Sequence, residues 1–137
     1  MKKIFIATTS FASLDKTPIK ILENNSFDIV FNKKGRKLSS SEMIAQLIDC
    51  DGVIAGTEQY ESDLLHNAKK LKVISRLGVG MDNIDQNAAK QKGIKIYKTQ
   101  TTPALAVAEL VLGLMLDLSR KISHQNNILK SGIWKKE

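Results

Sequence analysis

The chain has 137 residues, 42% of them hydrophobic and 26% charged, and a formal net charge of +7. Such a length suits one globular domain that buries roughly two-thirds of the surface of its unfolded form. Nothing approaches the roughly 18 uninterrupted apolar residues of a membrane span, and Ile4–Ala7 is too short for a signal-peptide core.

The single cysteine, Cys50, excludes an internal disulfide and fits a cytoplasmic location. The basic residues are scattered, as in Lys33, Lys34, Arg36 and Lys37 or Lys69, Lys70 and Lys72, which reads as a solvated surface with some attraction for small anions. Nucleic-acid binding is disfavoured, because only seven aromatics are present and none interleaves with a basic cluster.

In chain order, Lys3–Thr8 reads as a first strand. Thr17-Pro18 reads as a capping residue followed by proline at the first helical position. Phe27–Phe31 is a second strand. Ser39 and Glu42 have capping-box spacing, and Met43, Ile44, Leu47 and Ile48 then share one helical face. Gly52–Ala55 is a third strand, and Leu64, Leu65 and Ala68 mark a short helix. Leu71–Ser75 is a fourth strand. Asp85 caps a helix that runs to Lys92 and stops at Gly93, before a fifth strand at Ile94–Tyr97. Five strands alternating with four helices require parallel pairing through right-handed crossovers. The expected fold is an α/β, flavodoxin-like, doubly wound sheet of order 2-1-3-4-5.

Thr102-Pro103 begins a different pattern. Ala104–Leu118 is apolar nearly all round, interrupted mainly by Glu109, Gly113 and Asp117. A helix without a polar face needs burial on every side, so it calls for another domain or another chain. A more polar helix follows at about Ser123–Ser131. The expected division is therefore residues 1–100 and residues 101–137.

The most informative motif is Gly78-Val79-Gly80-Met81-Asp82-Asn83. It resembles the dinucleotide fingerprint G-x-G-x-x-G, but Asn83 replaces the third glycine and the preceding strand is the fourth rather than the first. These differences argue against a cofactor pyrophosphate site. Successive amides of such a turn form a concave site for a small anion; the alternative is a plain strand-to-helix turn. Thr57, after the third strand, lies at the carboxyl end of the sheet beside that loop. Its hydroxyl either meets a substrate oxygen or closes a local turn. Thr8-Thr9-Ser10, at the end of the first strand, has hydroxyls and amides that suit a phosphate, but the loop lacks glycine and an ordinary turn is the favoured reading.

A flavin site is disfavoured by the scarcity of aromatics, and a phosphate-receiving domain by Thr8-Thr9-Ser10 where acidic residues should follow strand one and Gly56-Thr57 where an aspartate should follow strand three. His66 and His124 read as surface residues without metal-ligand spacing, and Cys50 as core. No residue is assigned a catalytic, cofactor-binding or metal-binding role.

Leu71–Asp85, with Ala88-Ala89, Gly93-Ile94 and Val107-Ala108-Glu109-Leu110, resembles the D-isomer-specific 2-hydroxyacid dehydrogenases, in particular their phosphoglycerate dehydrogenase branch. The resemblance implies a two-domain oxidoreductase that interconverts a 2-hydroxy acid and a 2-keto acid with NAD. It makes residues 1–100 the substrate (lid) domain. Residues 103–120 become a crossover helix that packs on the cofactor domain and at a homodimer interface. It further implies that Gly78, Val79 and Gly80 bind the substrate carboxylate through backbone amides and that Thr57 contacts substrate. Gly56 stands where the phosphoglycerate enzymes often carry arginine, and Lys98-Thr99-Gln100 departs from the usual Asn-Thr-Pro. The family's glycine fingerprint and its catalytic arginine, glutamate and histidine fall beyond the position matched by Glu137. The expectation is a truncated substrate domain that binds no NAD tightly and is inactive alone. The alternative is a non-catalytic module that dimerises or docks through helix 103–120.

Overall fold

A computed structural model describes residues 1–134 and divides the chain into two compact units, Met1–Gln100 and Thr101–Glu137. The last three residues of the expected 101–137 segment lie outside the described residues.

The first unit holds β1 (Lys3–Ile6), α1 (Thr17–Asn24), β2 (Asp28–Phe31), α2 (Ser40–Leu47), β3 (Gly52–Ala55), α3 (Ser62–Asn67), β4 (Val73–Arg76), α4 (Gln86–Gln91) and β5 (Lys95–Lys98). The strands form one parallel sheet of order β2-β1-β3-β4-β5, as the alternation requires. In register, Val30, Phe5, Val53, Ile74 and Ile96 make a single row across all five strands. This row faces the core with Met43 and Leu47 of α2, Leu64 and Leu65 of α3, and Ala88 and Ala89 of α4. Each large side chain buried there is worth about 1.5–3 kcal/mol over exposure.

The helix starts explain why the chain turns where it does. Ser39 and Glu42 form a complete capping box: the Ser39 hydroxyl accepts from the Glu42 amide and the Glu42 carboxylate from the Ser39 amide. Asp85 caps α4 by accepting from the Ala88 amide at 2.9 Å, and Gly93, at φ +67°, ends it. Thr17, however, is not the cap of α1. It lies inside the helix, and the Asp15 carboxylate accepts from both its amide and its hydroxyl. Ile48 also departs from expectation: it follows the last turn of α2 and is 51% exposed, while Met43 and Leu47 carry the buried face. Strand limits move by one or two residues: β1 ends at Ile6 rather than Thr8, and β4 begins at Val73 rather than Leu71.

In the second unit, α5 (Ala104–Arg120) and α6 (Ile122–Lys130) are separated by Lys121 at φ +50°. Asp117, one of the polar interruptions of α5, receives the Ser123 amide at 2.7 Å and the Ser123 hydroxyl at 2.9 Å, tying the start of α6 to α5. The large apolar residues of α5 are exposed, Leu105 at 74% and Leu110 at 62% among them. Among the described residues no helix is long and apolar enough to cross a membrane.

Candidate functional site

Parallel strands end together, so the loops after β1, β3 and β4 gather at one edge of the sheet. Leu77 continues β4 by donating to the Ala55 carbonyl at 2.9 Å, and the chain then bends at Gly78. Gly78 has φ +143°, a conformation that side chains strain, and the Arg76 guanidinium folds over the face where a Cβ would stand.

The bend is clamped from β5. The Gly78 amide donates to Thr99 Oγ1 at 3.0 Å, and the Thr99 amide donates to the Gly78 carbonyl at 3.2 Å. The Gly78 amide is therefore already engaged, so its part is to shape the turn. The Val79 and Gly80 amides have no hydrogen-bond partner among the described residues. Val79 is half-buried and Gly80 exposed. Two adjacent unpartnered donors at a fixed bend can hold a carboxylate.

Asn83 braces the same edge from the other side. Its Nδ2 donates to the Glu58 carbonyl at 2.7 Å and the Gly56 carbonyl at 3.2 Å, and its Oδ1 accepts from Arg76 Nε at 3.3 Å. The backbone adds a parallel bridge, with the Tyr60 amide on the Asn83 carbonyl and the Asp85 amide on the Tyr60 carbonyl. One side chain thus ties the loop after β3 to the loop after β4. Sequence reading took Asn83 only as a missing glycine.

These features also decide the cofactor question for this loop. Asn83 fills the place of the third glycine, Thr99 takes the first amide, and α4 begins only at Gln86 and runs six residues. A dinucleotide pyrophosphate needs free glycine amides opening directly onto a helix. The residues present do not fit it.

Beside the bend lies a cavity of about 270 Å³ between the ends of β1 and β3. Thr57 and Thr8-Thr9-Ser10 both line it, and Arg76 and Leu77 connect it to the Gly78 turn. Thr57 is exposed and its hydroxyl has no local partner, so it does not close a turn. Thr8 and Ser10 share a hydroxyl–hydroxyl bond of 3.0 Å.

Two polar residues here were not singled out from the sequence. Glu58, 3% exposed, lines the cavity and accepts from the Gly56 amide at 3.1 Å. Tyr60 is fully buried, and its hydroxyl finds no partner among the described residues. Burial pushes the Tyr60 phenol well above its ordinary value, and the negative charge of Glu58 adds to the shift. A polar residue just past a strand reads as loop in a sequence, which is why neither stood out.

The remaining candidates fall elsewhere. His66 and His124 are exposed, and the His66 ring meets only Ser62 of its own helix. Cys50 is buried, its thiol donates to the Gln46 carbonyl, and burial raises its pKa, as for a core residue. Among the described residues no group of three His, Cys, Asp or Glu side chains is placed to hold a metal.

Comparison with known proteins agrees with this fold. Residues 6–130 match the model of the D-isomer specific 2-hydroxyacid dehydrogenase catalytic domain. D-3-phosphoglycerate dehydrogenase of Sus scrofa is 36% identical over 138 aligned positions, covering all of this chain and 25% of that protein. Hydroxypyruvate reductase of Thermotoga maritima is 34% identical, with 85% of this chain and 40% of that protein covered. Among solved structures, the NAD⁺-bound 3-phosphoglycerate dehydrogenase of Entamoeba histolytica superposes with a TM-score of 0.73 at 30% identity, covering 85% of this chain and 38% of that one. The chain thus spans between a quarter and two-fifths of the length of these relatives. From its five-stranded sheet to its Gly78 bend, it belongs to the D-isomer specific 2-hydroxyacid dehydrogenase family.

Proposed function

We propose that residues 1–100 hold the substrate of an NAD-linked D-2-hydroxyacid dehydrogenase, which interconverts a 2-hydroxy acid and a 2-keto acid. The observation that carries this reading is the pair of amides at Val79 and Gly80, unpartnered among the described residues, which follow in the chain on Arg76 and Leu77, two residues that line one cavity with Thr57. The two amides receive the substrate carboxylate. Gly78, locked by Thr99, fixes their direction, and the Thr57 hydroxyl meets the oxygen at C2 or beyond. Arg76, without a carboxylate partner among the described residues, adds positive charge.

In the complete reaction NAD exchanges a hydride with the C2 carbon of the acid. The 137 residues contain no complete glycine fingerprint to hold NAD. We therefore expect this polypeptide by itself, given NADH and a panel of 2-keto acids, to show no turnover above a blank. Binding is the sharper test. D-glycerate should bind the chain and its neutral amide, glyceramide, should not; equal binding of the two would refute capture by the carboxylate.

A second reading concerns α5. Leu110 and Leu114, one helical turn apart, are 62% and 53% exposed, an apolar stripe suited to pairing two copies of the chain. We propose a homodimer through residues 103–120. Light scattering should give twice the chain mass, falling to the monomer in the L110E/L114E double variant. A monomer at every concentration in the parent chain would exclude it.

A further inference from the structure

We infer that the outer edge of β2, with the groove beside it, takes up an extended peptide segment of a partner protein as a further strand, one that carries a large aliphatic side chain flanked by Asp or Glu. This surface is independent of the carboxylate site at Val79 and Gly80.

β2 pairs only with β1, so one side of its backbone is unpaired. The Asp28 and Asn32 amides donate to the carbonyls of Lys2 and Ile6, on the β1 side, at 2.9 Å each. A strand repeats every second residue, so Ile29 and Phe31 turn their amides and carbonyls to the open side. Such a row of donors and acceptors is a template for one more strand.

The two edges of the sheet differ. β5 carries Lys95 and Lys98, both exposed, and lysines along an edge discourage pairing. β2 has a single charge, Asp28 at its start, followed by Ile29, Val30 and Phe31. Phe31 is 42% exposed.

Beside this edge the core is left open. The apolar row across the sheet ends at Val30, which is half-buried. A groove of about 450 Å³ lies between Val30 and α2, lined also by Phe5, Leu38 and Ala45. Ala45 reaches in from α2 with only a methyl group. Residues in register on neighbouring strands share a face, so the residue of an added strand paired with Val30 points into the groove. An aliphatic side chain there extends the row by one position.

Charge defines the rest of the partner. The loop after β2 carries Lys33, Lys34, Arg36 and Lys37 against the one carboxylate of Glu42, which Lys34 and Arg36 share at 2.8 Å each. Lys33 lines the groove, is exposed and has no carboxylate partner among the described residues. An acidic residue at the end of the peptide nearest Lys33 meets that charge, which speeds encounter and selects the partner.

The test is an NMR titration of the full chain with the peptide acetyl-Asp-Glu-Val-Leu-Val-Asp-Glu-amide, which sets an acidic pair against Lys33 in either strand direction. Saturable binding is expected, with the largest amide shifts at Ile29 and Phe31 and a smaller one at Val30, whose amide faces β1. Replacing the acids of the peptide by lysine is expected to weaken binding at least about tenfold, and Lys33→Glu in the chain to narrow that preference at least about threefold. Phe31→Pro removes an outward donor and leaves the pairing with β1, so it is expected to weaken binding at least about tenfold. Absence of binding, shifts centred outside β2, or equal binding of the lysine peptide overturns the proposal. Shifts at Ile29 and Phe31 that depend on protein concentration without peptide would give the edge to a second copy of the chain and overturn it too. Should Phe31→Pro fail to fold, the two peptides and Lys33→Glu decide.

Discussion

Thr99 and Gly78 hold each other across neighbouring strand ends, each donating its amide to the other, to a hydroxyl in one direction and a carbonyl in the return. The consequence is that a residue on β5's end, outside the glycine motif, sets the direction of the two open amides that follow Gly78. Thr99→Val keeps the shape and removes the acceptor. It should speed hydrogen exchange at the Gly78 amide and cost about 0.5–1.5 kcal/mol in urea denaturation. Unchanged exchange at that amide would show that the clamp does not operate in solution.

Asn83 makes three side-chain hydrogen bonds that span two loops. Asn83→Ala should cost about 2–3 kcal/mol, since it leaves the Gly56 and Glu58 carbonyls unsatisfied in partly buried positions. Asn83→Asp should be worse at neutral pH, because a carboxylate then faces two carbonyl oxygens. Chemical denaturation ranks the three proteins, and an alanine variant as stable as the parent would remove the brace from the account.

Tyr60 makes the opposite prediction. Its hydroxyl is buried without a partner among the described residues, so the group costs stability rather than supplying it. Tyr60→Phe should raise the unfolding free energy by about 1 kcal/mol while the ring keeps its packing. A loss of comparable size would mean that the hydroxyl finds a partner in solution.

Much of the fold was readable from the residues alone. The row Val30–Phe5–Val53–Ile74–Ile96 sits at the same step of five short apolar runs, and alternation with helices left parallel pairing as the consistent topology. The Ser39–Glu42 box and Asp85–Gly93 were legible because caps are local chemistry. The α1 cap was misread because the backbone places Lys16, which makes no side-chain cap, at that position, while Asp15 accepts from the Thr17 amide.

The site was half legible. Gly78–Gly80 announces a bend, but its clamp comes from Thr99, 21 residues away on an adjacent strand. Thr57 and the Thr8–Ser10 turn were weighed separately, although β1 and β3 being neighbours already places them together. Glu58 and Tyr60 were invisible because burial of a polar residue past a strand end depends on tertiary packing.

Glu42 gives a pH signature. Hydrogen bonds from Arg36 and Lys34, with the Ser39 amide, hold its carboxyl far below its ordinary value of 4.5. A carboxyl depressed on folding adds stability that is complete above its unfolded value and is lost as pH falls below it. Glu42→Gln keeps the capping geometry and removes the charge. The parent should therefore be more stable than the variant near neutral pH, and the difference should fade as pH falls below 4.5. Parallel stability curves across that range would contradict the assignment.

The central claim is that the Val79 and Gly80 amides receive a carboxylate. Following every backbone amide by NMR while adding D-glycerate tests it most directly. The account predicts the largest downfield shifts at Val79 and Gly80, with a smaller response at Thr57 and little at Gly78, whose proton is already engaged. Saturable binding that leaves Val79 and Gly80 unmoved, or no binding at all, would contradict it.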